Sequence, residues 1–172
     1  MSRGVLLDTS FFLRFLNDTD PLFKNADDYF RYFLKNDFSL FISTISVAEF
    51  CVGGTADQLP LKNLKILPFN FDHARRTGQF ARILFDTRKK GLIDFKERQL
   101  IPNDSKLFAQ ADSEAQIEYY LTTDVESIKA FNILKQSDNC TPSAGGGRVR
   151  LFCFIFSKFF GGNILSTNIL AH

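Results

Sequence analysis

The fold of this chain is organised around one stretch of sequence, Val5-Leu6-Leu7-Asp8-Thr9-Ser10-Phe11-Phe12-Leu13. A short apolar run ends in one carboxylate, Asp8, and a helical pattern of apolar residues begins directly behind it. This order is typical of a buried parallel strand that delivers an acid to the carboxyl edge of an open α/β sheet, where ligands bind. An Asp before a helix is also an ordinary N-cap. The question is therefore whether further acids reach the same edge.

Length and composition indicate one globular domain with a substantial core. The chain has 172 residues, of which 45% are hydrophobic and 23% are charged. Phe occurs 21 times and Trp is absent, so we expect aromatic rings to fill much of the interior. The net charge of +2 is too small to indicate nucleic-acid binding by bulk electrostatics.

The number of cysteines and the hydropathy of the chain indicate which cellular compartment to expect. The cysteines form no metal-ligand pattern, because they are few and widely spaced: Cys51, Cys140 and Cys153. An odd, sparse count is typical of unpaired thiols in a reducing compartment. The charged residue Asp8 comes too early to leave room for a signal peptide. The apolar stretch from Leu151 to Phe160 is interrupted by Lys158 and is shorter than the roughly 18 residues of a membrane span. We therefore expect a cytoplasmic protein without a membrane segment.

Strand and helix patterns alternate along the chain. Apolar runs bounded by turn residues predict strands at residues 4–7, 39–43, 64–67, 119–123 and 149–155. Helical spacing predicts helices at residues 9–16, 22–35, 46–52, 72–90, 105–115 and 124–134. Gly91 is the expected C-cap of the long fourth helix. This alternation predicts βαβ units and a mostly parallel sheet.

Four acids stand at the junctions of these predicted elements: Asp8, Glu49, Asp104 and Asp124. If the strands are parallel and consecutive, all four lie at one edge of the sheet. Carboxylates that converge repel one another, and a divalent cation is the usual remedy. All-oxygen ligands without His or Cys suit Mg²⁺ or Mn²⁺. Such a site polarises a phosphoryl oxygen and activates water, which predicts metal-dependent phosphodiester hydrolysis.

Each acid also has an ordinary structural explanation. Asp8, Asp104 and Asp124 could each be a helix N-cap. The sequence Ser46-x-x-Glu49 has the form of a capping box. The two roles are compatible, because a helix N-terminus that holds a carboxylate also fixes its direction.

Four short motifs follow one another in order: Leu6-Leu7-Asp8-Thr9-Ser10, Ile45-Ser46-Val47-Ala48-Glu49-Phe50, Asn103-Asp104 with Leu107-Phe108-Ala109 and Ala111, and Leu121-Thr122-Thr123-Asp124. Over roughly residues 4–135 the chain resembles the PIN domain, and more narrowly the VapC-type toxin ribonucleases of bacterial and archaeal toxin–antitoxin pairs. The resemblance implies a three-layer α/β/α fold with a central mostly parallel sheet, a Mg²⁺ or Mn²⁺ site and endonucleolytic cleavage of RNA. It also implies a cognate antitoxin as protein partner, and we expect a homodimer.

The resemblance also implies residue roles. The family's acidic quartet, which carries catalysis and binds the metal, corresponds to Asp8, Glu49, Asp104 and Asp124. Hydroxyl side chains that would orient these acids are Thr9, Ser10 and Thr122. Glu126 lies where some relatives carry a fifth acid. The sequence departs from the family pattern at Phe108 and Gln110, which are bulkier than usual and are expected to narrow the site.

Two other functions compete with the nuclease. One is a PIN-like module that binds RNA or a protein without cutting, although the intact acidic quartet argues against it. The other is a phosphatase of the haloacid dehalogenase kind, which also opens with a strand ending in Asp. That chemistry needs a second Asp two residues on, and Ser10 occupies the place.

Two surfaces are candidates for binding partners. Arg75, Arg82 and Lys89 recur every seven residues and form one basic stripe, which is either a solvated face or an RNA contact that gives affinity without sequence information. The predicted helices at 22–35 and 47–53 hold more apolar side chains than one core-facing stripe requires. Those side chains either fill the core or form a surface that the antitoxin covers.

The last part of the chain is the least regular. A turn-rich, glycine-containing segment predicts a division into a nuclease domain at residues 1–138 and a connection with a C-terminal strand or tail at residues 139–172, which we expect to belong to the same domain. Residues 149–155 are nearly all apolar, as in a strand buried on both faces. The alternative is a loosely attached extension.

Overall fold

The structure, a computed structural model, describes residues 3–91, 100–137 and 150–153. Its strands are β1 (Gly4–Leu7), β2 (Ser39–Ser43), β3 (Lys65–Leu67), β4 (Ile117–Thr122) and β5 (Arg150–Cys153). Its α-helices are α1 (Thr9–Phe15), α2 (Phe23–Lys35), α3 (Thr44–Phe50), α4 (Phe71–Lys89), α5 (Leu100–Ser113) and α6 (Val125–Ser137). Two 3₁₀ turns join α3 to β3, at Ala56–Gln58 and Leu61–Asn63. The predicted alternation of strands and helices is confirmed in these ranges.

The strands form one parallel sheet in the order β3-β2-β1-β4-β5. The chain leaves β1 towards β2 and β3 on one side, and then returns through α4 and α5 to β4 on the other side of β1. The strand order therefore reverses between β1 and β4. In open α/β sheets the crevice at the carboxyl ends of two such strands is the usual ligand site.

Helices cover both faces of this sheet. Within β1, Val5 and Leu7 pack into the core formed with α1, α2 and α3, whereas Leu6 packs into the core formed with α4, α5 and α6. All three of these side chains are fully buried, as expected for a central parallel strand. The predicted three-layer α/β/α architecture is therefore confirmed.

Aromatic side chains fill the first of these two cores. The Phe15 and Phe30 rings lie 4.6 Å apart between centroids, and the Phe11 ring stacks beside them. On α2 the side chains of Ala26, Tyr29, Phe30 and Phe33 are buried, so core packing explains most of the apolar residues predicted at 22–35. Leu34 is the exposed exception on this helix, at 39%.

Two helices begin earlier than predicted. Ser43, at the end of β2, is the N-cap of α3, and its Oγ accepts from the Ile45 N–H at 2.9 Å. The proposed capping box Ser46-x-x-Glu49 is therefore wrong, because both residues lie inside the helix. Helix α5 begins at Leu100, so Asp104 lies in its second turn and is not an N-cap.

The long helix α4 ends as predicted. Gly91 follows it with a φ of +69°, a left-handed conformation that favours glycine, and its N–H donates to the Arg88 carbonyl. The buried side chains of α4 are His73, Phe80 and Leu84. Leu84 among them is fully buried.

The strand predicted at 149–155 is present as β5, which pairs with β4 at one edge of the sheet. The glycine-rich connection and residues 154–172 lie outside the described residues, so the division at residue 138 stays a prediction. Among the described helices, none combines the length and apolar character that a membrane span requires.

Gly4 offers a direct test of the central strand pairing. A Cβ at this position would collide with the Gln116 carbonyl oxygen, where the register of β1 against β4 shifts. We therefore expect Gly4→Ala to lower the free energy of unfolding by about 1–3 kcal/mol, measured by urea denaturation. Gly78→Ala is the control, because open space surrounds Gly78 inside α4 and alanine should stabilise the helix by about 0.5–1 kcal/mol. Equal stability of the Gly4→Ala variant and the wild type would contradict this pairing.

Candidate active site

The fold brings the four predicted acids to the crevice between β1 and β4. Asp8 follows β1 directly and Asp124 follows β4, while Glu49 projects from α3 and Asp104 from α5. Burial is the main cause that raises the pKa of Asp104 to about 7, opposed by a hydrogen bond from Ser127. The charges of Asp8, Asp124 and Glu49 raise this pKa further. Asp104 is therefore close enough to the other three acids to feel their charges, and Asp8 is close enough to feel the charge of Glu49.

Asp8 is the most deeply embedded of these acids, with 6% of its surface exposed. Its Oδ1 accepts from the Thr9 N–H at 2.7 Å, and its Oδ2 accepts from Ser10 Oγ and Thr122 Oγ1, both at 2.7 Å. Burial raises the pKa of Asp8 against the effect of these hydrogen bonds, and the Glu49 charge adds to the rise. Asp8 is at once the N-cap of α1 and a member of the acidic cluster.

The other acids are also held by hydroxyls or backbone amides. Thr9 Oγ1 donates to Glu49 Oε2 at 2.5 Å, which links α1 to α3. The Glu126 N–H donates to Asp124 Oδ1 at 2.9 Å, so Asp124 serves the first turn of α6. The Asp124 N–H in turn donates to Thr122 Oγ1 at 3.0 Å. Each predicted hydroxyl residue thus contacts an acid, although its part in metal binding stays a prediction.

Sequence reasoning missed Ser127. Its Oγ donates to Asp104 Oδ1 at 3.0 Å and its side chain is buried, so it connects α6 to the acid on α5. Its place three residues after Asp124, one helical turn into α6, was the available signal.

Sequence reasoning also missed Tyr120. The residue is fully buried on the α5 side of β4, opposite Leu6 in the strand register. Burial, followed by the charges of Asp8, Asp104 and Glu49, raises its pKa well above the usual range. Tyr119 and Tyr120 are adjacent, and the sequence alone did not show which of them faces the acids.

The two bulky departures from the family pattern lie in the interior. Phe108 is buried against Tyr120, with ring centroids 5.1 Å apart. The Nε2 of Gln110 donates to the Leu67 and Pro68 carbonyls, both at 3.3 Å, which ties α5 to the end of β3. Both side chains therefore pack the α5 layer against the sheet, and the expectation that they narrow the site stays a prediction.

The predicted basic stripe lies on the exposed side of α4. Arg75 pairs with Asp72 at 3.5 Å and Arg82 with Asp86 at 3.9 Å, both on the same helix, and Lys89 is exposed. In the described part of the chain, no ion pair joins these residues to the four acids. Their role in RNA binding stays a prediction.

Glu126 follows Asp124 by two residues, and its carboxylate is paired with a lysine. Its Oε1 accepts from Lys129 Nζ at 2.6 Å, whereas its Oε2 is buried without a hydrogen-bond partner among the described residues. Glu126 is thus paired with Lys129, and its role as a fifth acid of the site stays a prediction.

The oxygen donors at this edge fit a hard divalent cation in chemical kind. The charge repulsion on Asp104 is what such a cation would relieve. In residues 3–91, 100–137 and 150–153, however, no three His, Cys, Asp or Glu side chains are already arranged to hold a metal ion. A cation would therefore have to draw the acids closer together.

An open groove of about 740 Å³ lies next to Glu49. It is lined by residues of α1, of α3 and of the loop that follows α3: Leu13, Leu16, Glu49, Phe50, Val52, Gly53, Gly54 and Gln58. Leu13 is 57% exposed and Val52 is 89% exposed, so the groove presents apolar surface to solvent. Exposed apolar patches of this kind are typical of partner-binding sites.

The layer order and the acidic cluster at the switch point define a PIN-like α/β/α fold. Three solved structures share this fold. A chain of the promoter-DNA-bound VapBC2 complex of Rickettsia felis has a TM-score of 0.56 and 17% identity, over 88% of this chain and 98% of that chain, and a chain of DNA-bound VapBC of Salmonella typhimurium has a TM-score of 0.51 and 17% identity, over 89% and 98% of the two chains. The Mycobacterium tuberculosis Sarcin-Ricin loop cleaving toxin VapC20 has a TM-score of 0.51 and 15% identity, over 73% of this chain and 94% of that chain. No protein-family model and no curated protein matches the sequence. The resemblance to VapC-type PIN domains is therefore confirmed at the level of the fold.

The raised pKa of Asp104 predicts an unusual pH dependence of stability. The folded protein binds the Asp104 proton with a pKa of about 7, against 3.8 for the ordinary group, so this contribution is present at low pH and is lost as pH rises from about 4 to about 7. Without divalent cations, Asp104→Asn should gain stability over the wild type across this window, on the order of a few kcal/mol.

The measurement is urea denaturation in chelator-containing buffer between pH 4 and pH 8. Asp18→Asn, a change at an exposed acid, serves as the control and should follow the wild type. A stability difference between Asp104→Asn and the wild type that does not change with pH would contradict the buried, repelled state of Asp104.

Proposed function

We propose that this protein is a Mg²⁺- or Mn²⁺-dependent endoribonuclease and the toxin of a type II toxin–antitoxin pair. The observation that carries the proposal is the convergence of Asp8, Glu49, Asp104 and Asp124 at the switch point of the sheet, where burial and, after it, the charges of the other three acids raise the pKa of Asp104 to about 7. Structural likeness to VapC-type toxins supports the same assignment.

The residues of the chain have distinct parts in this activity. A cation held by the four acids would polarise the scissile phosphodiester and activate water for in-line attack. Ser10 and Thr122 fix the Asp8 carboxylate, and Thr9 fixes Glu49, so the acids present their oxygens in set directions. Ser127 does the same for Asp104.

RNA is the proposed substrate. Arg75, Arg82 and Lys89 would contact phosphates along α4, and such contacts position a nucleic acid without reading its sequence. Their side chains are free to reorient, because they are exposed and their ion pairs on the helix surface are weak. The sequence preference of cleavage therefore depends on other features of the protein.

An antitoxin segment is the proposed occupant of the groove beside Glu49. Two of the similar structures are VapBC complexes, in which a VapC protein is accompanied by VapB. An apolar segment laid over Leu13, Leu16 and Val52 would bury surface that is now exposed and would pass directly beside the acids. A basic side chain on that segment would then find carboxylate partners. A homodimer is part of the same proposal.

Removal of an acid tests the nuclease. With purified full-length protein, RNA and Mg²⁺ or Mn²⁺, Asp8→Asn and Asp104→Asn should each reduce cleavage at least about 100-fold, because even residues that only support metal ligands cost 10–100-fold. Chelator should abolish wild-type cleavage, and Asp18→Asn should cleave normally. Normal cleavage by either site variant would contradict the proposal. Cation-induced stabilisation with no cleavage of any RNA would favour the non-catalytic PIN-like binding module.

Charge placed in the groove tests the partner surface. Leu13→Asp and Val52→Asp should fold normally, because both side chains are exposed, and should still slow growth when expressed. Co-expression of the adjacent small reading frame should restore growth for the wild type and for Phe71→Asp, an exposed apolar position outside the groove. It should fail to restore growth for the groove variants. Equal rescue of all variants would contradict docking in the groove.

A further inference from the structure

Tyr120 carries a buried hydroxyl that the packing of its ring does not explain. The residue is fully buried, and its hydroxyl oxygen has no hydrogen-bond partner among the described residues. Its ring packs edge to face against Phe108, a contact that a phenylalanine would make equally well. A buried hydroxyl without a partner is destabilising, so its presence requires an explanation other than packing.

The hydroxyl lies among possible acceptors. After burial, the causes that raise the pKa of Tyr120 well above its usual range are the charges of Asp8, Asp104 and Glu49. The Asp8 side chain is near enough to raise the pKa of Tyr120 by direct interaction, although the hydroxyl and the carboxylate do not form a hydrogen bond of acceptable geometry. The hydroxyl therefore lies within the electric field of three carboxylates, each of which accepts hydrogen bonds when ionised.

Acceptor capacity distinguishes these carboxylates. Asp8 already accepts three hydrogen bonds, of the roughly four that a carboxylate takes. Asp104 accepts one from the described residues, the bond from Ser127. Asp104 and Phe108 are four residues apart on α5 and so share one face of that helix. The Tyr120 ring, which packs on Phe108, thus lies along the helix face that carries Asp104.

We propose that Tyr120 is a positioning residue of the acidic site, whose hydroxyl donates to the Asp104 carboxylate when a divalent cation draws the acids together. The inference rests on the proposed metal-dependent function. Among the described residues the hydroxyl has no hydrogen-bond partner, and with a cation bound it would hold Asp104 in the direction that the cation requires. Tyr120 then contributes to cation affinity and adds nothing to the stability of the cation-free protein.

The test compares two tyrosine-to-phenylalanine variants of the full chain. Tyr120→Phe removes the hydroxyl beside the acids. Tyr119→Phe is the matched control, because Tyr119 is the neighbouring buried tyrosine on the opposite face of β4, in the core with α1, α2 and α3. Mg²⁺ affinity is measured by calorimetry and by cation-dependent thermal stability, and a tyrosine near-UV difference spectrum is recorded on adding Mg²⁺.

We expect Tyr120→Phe to bind Mg²⁺ at least about tenfold more weakly than the wild type, with equal or higher stability in chelator. The Mg²⁺-induced tyrosine spectrum should be present in the wild type and in Tyr119→Phe and absent from Tyr120→Phe. Wild-type Mg²⁺ affinity in Tyr120→Phe would overturn the inference and leave the proposed function standing. A loss of chelator-state stability in Tyr120→Phe that exceeds the loss in Tyr119→Phe would also overturn it. A wild-type protein that binds neither Mg²⁺ nor Mn²⁺ would overturn both.

Discussion

The structure depends on one buried carboxylate at the end of its central strand. Asp8 remains inside the protein because donors from two elements serve it, Ser10 from α1 and Thr122 from β4, together with the Thr9 amide. The same bonds connect β1 to α1 and to β4, and the Asp8 N–H adds a further bond to the Leu121 carbonyl. The hydrogen bonds of Asp8 therefore fix the geometry of the switch point between β1 and β4.

The burial of the acids disfavours their ionised forms. Burial and three neighbouring carboxylates raise the pKa of Asp104 to about 7, so Asp104 releases its proton at higher pH than an ordinary aspartate does. Two further buried atoms, Tyr120 Oη near the acids and Glu126 Oε2 on α6, have no hydrogen-bond partner among the described residues. Perturbed and unsatisfied groups of this kind concentrate at functional sites, where local stability is given up for chemistry.

Much of the fold followed from the apolar runs and their punctuation. The strands at 4–7 and 39–43 were predicted at their observed limits, because each is an apolar run with a polar residue at its carboxyl end. The helix limits around Glu49 and Asp104 were not, because Ser43 and Ser46 both have the form of a cap and only tertiary structure selects one. The contact of Ser127 with Asp104 and the side of β4 that Tyr120 occupies depend on packing between elements, which local pattern does not encode.

The proposed nuclease activity requires that the four acids form a single cation site at the switch point. A crystal structure of the full chain grown with Mn²⁺ tests it most directly, since anomalous scattering locates manganese without reference to any assumed chemistry. We expect an anomalous peak bounded by Asp8, Glu49, Asp104 and Asp124, with Asp104 closer to Asp8 than in a crystal grown with chelator. A well-ordered cluster without manganese, or manganese bound elsewhere with these acids apart, would contradict it.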